Sequence, residues 1–124
     1  MTNAVEGDLV AGDNRFAIVA SRWNETFVER MVDGAREALR RHGADKADVE
    51  LVRCPGSYEL PQVARKVAVE WEVDAIVCLG VLIRGETPHF DYISGEATSG
   101  IGQVGRETGI PVSFGVLTCD TMEQ

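Results

Sequence analysis

Long apolar runs are missing from this chain. No stretch of its 124 residues approaches the roughly 20 apolar residues that a membrane-spanning helix requires, and Met1 to Asp8 has neither the basic start nor the apolar run of a secretion signal. A cytoplasmic location without a membrane partner is therefore expected. Positive charge is scarce too. Lys and Arg number 12 against 20 Asp and Glu, leaving a net charge of -8 and an isoelectric point near 4.7. That balance excludes nucleic acid as a partner, because phosphate backbones are held by clustered cations. Cysteine is limited to Cys54, Cys78 and Cys119, widely spaced and without a C-x-x-C pair, so neither a zinc site nor dithiol exchange is expected. They read as reduced thiols packed in strands. The chain also lacks a P-loop with its lysine, a G-x-G-x-x-G turn and the acidic pair with which a phospho-receiver domain holds Mg²⁺.

What is present suits one domain over residues 1–124, with 44% hydrophobic and 26% charged residues. Phe16 to Ala20 and Ala75 to Leu79 are short, partly β-branched apolar runs, as strands buried on both faces should be. Val49 to Val52 and Val112 to Leu117 are weaker strand candidates. Between them lie helical patterns. Phe27, Met31, Ala35, Ala38 and Leu39 mark one from about Glu25 to His42, with Thr26 and Glu29 spaced as a capping box and Gly43 as a left-handed stop. Leu60, Val63, Ala64, Val67, Ala68 and Trp71 mark a second. The third, about Phe90 to Glu107, carries Phe90, Ile93, Ala97, Ile101 and Val104 on one side, together with Gly95, Gly100, Gly102 and Gly105. Each interior glycine costs about 1 kcal/mol against alanine, so this load implies a poor helix or a closely approached face. Close packing between subunits is the expectation.

Strands alternating with helices specify a parallel sheet covered on both faces. The fold class expected is α/β, flavodoxin-like, with strand order 2-1-3-4. After the last strand, Asp120 and Glu123 have the spacing of a helix start just before Gln124, which reads as a chain lacking its final helical segment.

Ligands of an open parallel sheet bind beyond the carboxyl ends of its strands, so chemistry is sought in the segments that follow them. Trp23 after strand one offers a flat face that suits stacking on a heterocycle, or simple packing. Glu59 stands where a second helix begins and can accept ligand hydroxyl protons or favour the helix dipole. Gly80 to His89 follows strand three, and its part Arg84 to His89 joins a glycine turn to a helix N-terminus, whose free N–H groups attract phosphate. His89 would stand beside that anion with an imidazole suited to giving and taking protons, or would cap the helix. His42, among arginines at a helix end, reads as a C-terminal cation.

Trp23-Asn24, Pro55-Gly56-Ser57-Tyr58-Glu59-Leu60-Pro61, Arg84-Gly85-Glu86-Thr87-Pro88-His89-Phe90-Asp91-Tyr92 and Phe114-Gly115-Val116-Leu117-Thr118 together resemble the lumazine synthase family, in the same order and spacing, from about residue 10 to the end. The resemblance implies a transferase of riboflavin biosynthesis that joins a ribitylaminouracil to a butanone phosphate with neither metal nor redox cofactor. It implies that His89 is the acid/base group. Trp23, Asn24, Ser57, Tyr58, Glu59, Val81, Leu82 and Ile83 would hold the ribitylaminouracil, with Phe114 closing the pocket from a neighbouring subunit. Gly85, Glu86 and Thr87 would take the phosphate, the carboxylate of Glu86 turning away so that backbone N–H groups bind it. A homo-oligomer is implied, a pentamer or a 60-subunit shell, with residues 1–14 as an arm pairing with the neighbour's sheet. The family continues past residue 124 into a helical region with a phosphate-binding arginine and a lysine, which a complementing C-terminal chain would have to supply. The alternative is a non-catalytic scaffold or a flavin- or lumazine-binding fragment of such a shell.

Overall fold

The computed structural model describes residues 3–124. The elements alternate: β1 Phe16–Ser21, α1 Glu25–Arg41, β2 Val49–Cys54, α2 Leu60–Glu70, β3 Ala75–Ile83, α3 His89–Thr108 and β4 Val112–Cys119, with short 3-10 turns over Lys46–Asp48 and Ser57–Glu59. The strands are all parallel and ordered β2-β1-β3-β4, the flavodoxin-like arrangement expected from the alternation. β1 and β3 are central, which is why Ala17 to Ala20 are inaccessible to solvent on both faces. One apolar layer places Val28 and Val32 of α1 over Ile18, Ala20, Leu79 and Val81. The opposite layer places Leu60, Ala64 and Val67 of α2 and Phe90, Ile101 and Val104 of α3 over Ala17, Val19, Ile76 and Cys78. The thiols lie in strands β2, β3 and β4 and are free. Among the described residues no helix is long and apolar enough to cross a membrane.

Three local expectations are corrected. The Thr26–Glu29 capping box does not form: Asn24 is the N-cap, in the left-handed region at φ 63°, and no side chain caps the helix. Tertiary partners outcompete the local motif, since Asn24 Nδ2 donates to the Val81 carbonyl at 2.7 Å and Glu29 pairs with Arg53 at 2.5 Å. The buried stripe of α1 accordingly centres on Val28 and Val32, leaving Phe27 and Ala38 on the exposed side. Strand β3 runs on to Ile83, because its ladder with β4 continues to the pair Ile83 and Cys119. The segment between strand and helix is therefore Arg84 to Pro88, rather than all of Gly80 to His89.

Helix α3 is unbroken over its 20 residues despite its glycines. Close approach holds at Gly100, where a Cβ would fall 2.6 Å from Pro61 Cγ, so the tight seat is against α2 of the same chain. Gly95 faces open space, with nothing within 4 Å of a Cβ placed there. Beyond β4, Asp120 does not cap a helix: its carboxylate accepts from Arg84 Nε at 3.0 Å, and Thr121 to Gln124 form a turn. His42 ends α1 as expected, with Gly43 left-handed at φ 96°. The His42 carbonyl also accepts from Ala11 N–H at 2.6 Å, and its Nδ1 lies 2.7 Å from the Leu9 carbonyl. The N-terminal arm is thereby tied to the end of α1. Residues 1 and 2 of that arm lie outside the described residues; residues 3 to 10 are exposed coil.

Candidate active site

Parallel strands deliver all their carboxyl ends to one rim, and the backbone extends the β1–β2 ladder past the strands there. Arg22 N–H donates to Cys54 O at 2.8 Å and Trp23 N–H to Pro55 O at 3.1 Å. Those two bonds set the Trp23 turn beside the Pro55-Gly56-Ser57 turn. On the other flank Asn24, by donating to Val81 O, ties the same turn to β3. An asparagine suits this place because it tolerates the left-handed backbone and supplies the donor.

The result is a cleft of about 610 Å³ lined from the segments that follow β1, β2 and β3. Trp23 and Asn24 come from the first turn. Ser57, Tyr58 and Glu59 come from the second, Leu82 and Ile83 from the end of β3, Gly85 and Thr87 from the next loop, and His89 from the start of α3. Trp23 keeps 71% of its surface exposed, leaving the indole free for a planar partner. Ser57 is by contrast buried.

Of the residues singled out from the sequence, Val81, Glu86 and Phe114 do not line the cleft. Val81 points into the α1-side layer and contributes its carbonyl to Asn24. Glu86 is exposed on the loop, and Phe114 lies on edge strand β4 with 44% of its surface exposed. Conversely, Pro55, Gly56, Phe90, Tyr92 and Ile93 line the cleft without having been singled out as contacts. Helix periodicity carries the signal for two of them: residues three and four beyond His89 share its face, and these are Tyr92 and Ile93.

The loop from Arg84 to Pro88 is fixed at its base. Arg84 N–H donates to Cys119 O at 2.8 Å, and its guanidinium bonds Asp120 at 3.0 Å and Asp91 at 3.2 Å while lying 4.4 Å from the centre of the Phe90 ring. Its charge is matched by those carboxylates. Unpaired donors in this loop come from backbone: Pro88 is the N-cap of α3, and the N–H groups of Gly85, Glu86 and Thr87 donate to no backbone or side-chain acceptor among the described residues. His89 N–H reaches Thr87 Oγ1 only at 3.4 Å.

Cysteine chemistry is disfavoured here. Burial pushes the Cys54 thiol up to about 11, with the charge of Glu59 adding to the effect, and pushes Cys78 up to about 12. Both stay protonated near neutrality and are poor nucleophiles. Among the described residues, no three His, Cys, Asp or Glu side chains gather into a metal-binding group. The arrangement is instead a cleft that brings together an exposed indole, the side chains of Ser57, Tyr58 and Glu59, and the start of α3 with its imidazole.

Residues 13–124 match the family model described as 6,7-dimethyl-8-ribityllumazine synthase. The chain is 52% identical over 120 residues to the 6,7-dimethyl-8-ribityllumazine synthase of Chlorobium phaeobacteroides, and equally so to that of Chlorobium limicola. It is 48% identical to the protein of that name from Chlorobium luteolum. In each case the alignment covers 97% of this chain and 77% of its relative, so the chain is the shorter partner. With three of the four motifs converging on one cleft and the match running from residue 13 to 124, the chain belongs to the 6,7-dimethyl-8-ribityllumazine synthase family.

Proposed function

We propose that the chain condenses 5-amino-6-(D-ribitylamino)uracil with 3,4-dihydroxy-2-butanone 4-phosphate to give 6,7-dimethyl-8-ribityllumazine, releasing phosphate and water. The observation that carries this reading is that Trp23 and His89, distant in sequence, line one cleft with Ser57, Glu59 and Thr87. The uracil ring stacks on the indole of Trp23, with Asn24, Leu82 and Ile83 beside it. Ser57 and Glu59 bind the ribityl hydroxyls, Tyr58 alongside. The phosphate is held by the N–H groups of Gly85, Glu86 and Thr87 and by the Thr87 hydroxyl, with the Glu86 carboxylate turned to solvent.

The reaction needs alignment more than exotic groups. Holding two reactants in an attacking geometry can supply about 7 to 11 kcal/mol of the barrier, and a positioned acid/base adds roughly 10² to 10⁴ in rate. The free amine of the diamine attacks the ketone carbon, and His89 protonates the departing oxygen so that water leaves and an imine forms. His89 then accepts a proton from the adjacent carbon as phosphate is expelled. The enol left behind takes a proton at its terminal carbon and becomes a methyl ketone, and the second nitrogen attacks that carbonyl to close the ring with loss of water.

Assembly belongs to the same proposal: a pentamer or a 60-subunit shell in which Phe114 of a neighbour closes the cleft. Support comes from the exposure of Phe114 outside its own cleft and from exposed Val5, Leu9 and Val10 on the arm, apolar groups suited to a neighbour's sheet. A cytoplasmic location is proposed with it. The relatives are named for the synthase activity, so the non-catalytic scaffold or flavin-binding alternative is not favoured.

Mixing both substrates with the chain and following lumazine fluorescence tests the reaction. It is run on the chain alone and on the chain supplemented with a relative's C-terminal segment as a complementing chain. Product in either arm supports the proposal, and product in neither overturns it. Mass measurement in solution tests the assembly, which a monomer at micromolar concentration would rule out.

A further inference from the structure

Ser21, the last residue of β1, is inaccessible to solvent, and its hydroxyl has no hydrogen-bond partner among the described residues. A serine hydroxyl carries one donor and two acceptor positions, and leaving all of them unmet in a buried place is costly. The orphan lies beside the cleft floor. A Cβ built on Gly80 of the adjacent strand would fall 2.5 Å from Ser57 Oγ and 3.2 Å from Ser21 Oγ. Both hydroxyls thus face one notch that exists only because residue 80 has no side chain. Leu60 Cδ1, at 3.2 Å from the same point, walls it with an apolar group that offers no competing partner.

We propose that Ser21 is a positioning residue for Ser57: when a ligand occupies the cleft, the Ser21 O–H, unpartnered without it, turns across the Gly80 notch to donate to Ser57 Oγ, so that the Ser57 proton is directed at a ligand hydroxyl. The inference rests on reading Ser57 as a contact for the ribityl chain. Without Ser21, the Ser57 hydroxyl has no fixed donor and its proton direction is unconstrained. With it, one lone pair of Ser57 is filled as the ligand binds and the O–H is held on the ligand hydroxyl, so that binding also satisfies the buried Ser21 donor. Ser21 itself touches no substrate. Its buried hydroxyl is a burden on the fold unless it serves such a bond.

The test measures binding of two probes by fluorescence, 6,7-dimethyl-8-ribityllumazine and 6,7,8-trimethyllumazine, which lacks the ribityl chain. For Ser21→Ala the affinity for the ribityl probe should fall about fivefold, the worth of one neutral hydrogen bond, with no change for the trimethyl probe. The thermal midpoint of the unliganded variant should hold or rise, because an unpaired buried hydroxyl has been removed. Ser21→Cys, which replaces the hydroxyl with a weak donor, should lose affinity in the same way. In the Ser57→Ala background, Ser21→Ala should have no further effect. An unchanged affinity in Ser21→Ala, an equal loss for both probes, or the same loss with and without Ser57 each overturns the proposal. If Ser57→Ala leaves ribityl binding untouched, the reading of Ser57 falls and this inference with it. If Ser57→Ala weakens binding and Ser21→Ala does not, only the inference falls.

Discussion

Gly100→Ala is the substitution whose consequences reach furthest from fold into function. In a helix interior alanine is favoured over glycine by about 1 kcal/mol, so α3 taken alone should gain. The tertiary contact reverses the sign. The new Cβ would stand 2.6 Å from Pro61 Cγ and 2.7 Å from Pro61 Cβ, and Pro61 is buried near the start of α2 with a ring that has no rotamer to escape into. Overpacking of this kind costs about 1 to 3 kcal/mol, leaving a net loss of about 1 kcal/mol and a fall in thermal midpoint of about 3 to 5 °C for a chain of this size. Gly34→Ala in α1 is the matched control: nothing lies within 4 Å of a Cβ there, so it should gain about 1 kcal/mol and raise the midpoint by a similar amount. Relief of the clash at Gly100 pushes α2 and α3 apart. Pro61 is two residues from Glu59 and α3 begins with His89, so the hydroxyl-binding and proton-transfer sides of the cleft move with those helices. Misplacement of about 1 Å can cost roughly 10²-fold in rate, so kcat/KM for the condensation should fall by up to that factor while Gly34→Ala leaves it unchanged. Calorimetry and steady-state fluorescence read both quantities. A Gly100→Ala protein as stable as Gly34→Ala and equally active would refute the reasoning.

His89→Ala should lower turnover by roughly 10² to 10⁴ while leaving the solution mass of the assembly unchanged, since His89 is an exposed first-turn residue; unaltered kcat removes it from the mechanism. Trp23→Ala should leave the thermal midpoint nearly unchanged because the indole is mostly exposed, yet weaken ribityllumazine binding about three- to tenfold through lost stacking, as a fluorescence titration would show. Cys54 and Cys78, whose thiols burial holds at about 11 and about 12 against an ordinary value of 9.0, keep their protons in the fold where an unfolded chain would lose them. Their contribution to stability is therefore level below pH 9 and is lost as pH rises from 9 through 11 to 12, which urea titrations across that window check. By the same logic a maleimide at pH 7.5 should label neither thiol until the chain unfolds.

The chain itself carried the alternation of apolar strands with three-to-four-spaced helices, and from it the parallel sheet in order 2-1-3-4 and the placing of chemistry at one rim. These features are legible because periodicity and helix stops are written within a few residues of one another. The ring of Trp23 and the imidazole of His89 could be named in advance because they lie in the segments that follow strands, whereas the hydroxyl of Ser57 was named only through the family resemblance. Tertiary structure decided what local patterns cannot hold. It turned Asn24 into the cap of α1 by offering its amide the Val81 carbonyl, which dissolved the expected Thr26–Glu29 motif. It seated Gly100 on Pro61 within one chain, a contact between residues 39 apart that no window of sequence spans. It set Val81 and Ile83 toward the α1-side layer and Leu82 toward the opposite one, because side chains alternate along a strand and only the packed layers fix which face is which, while the end of the strand left Leu82 and Ile83 at the cleft.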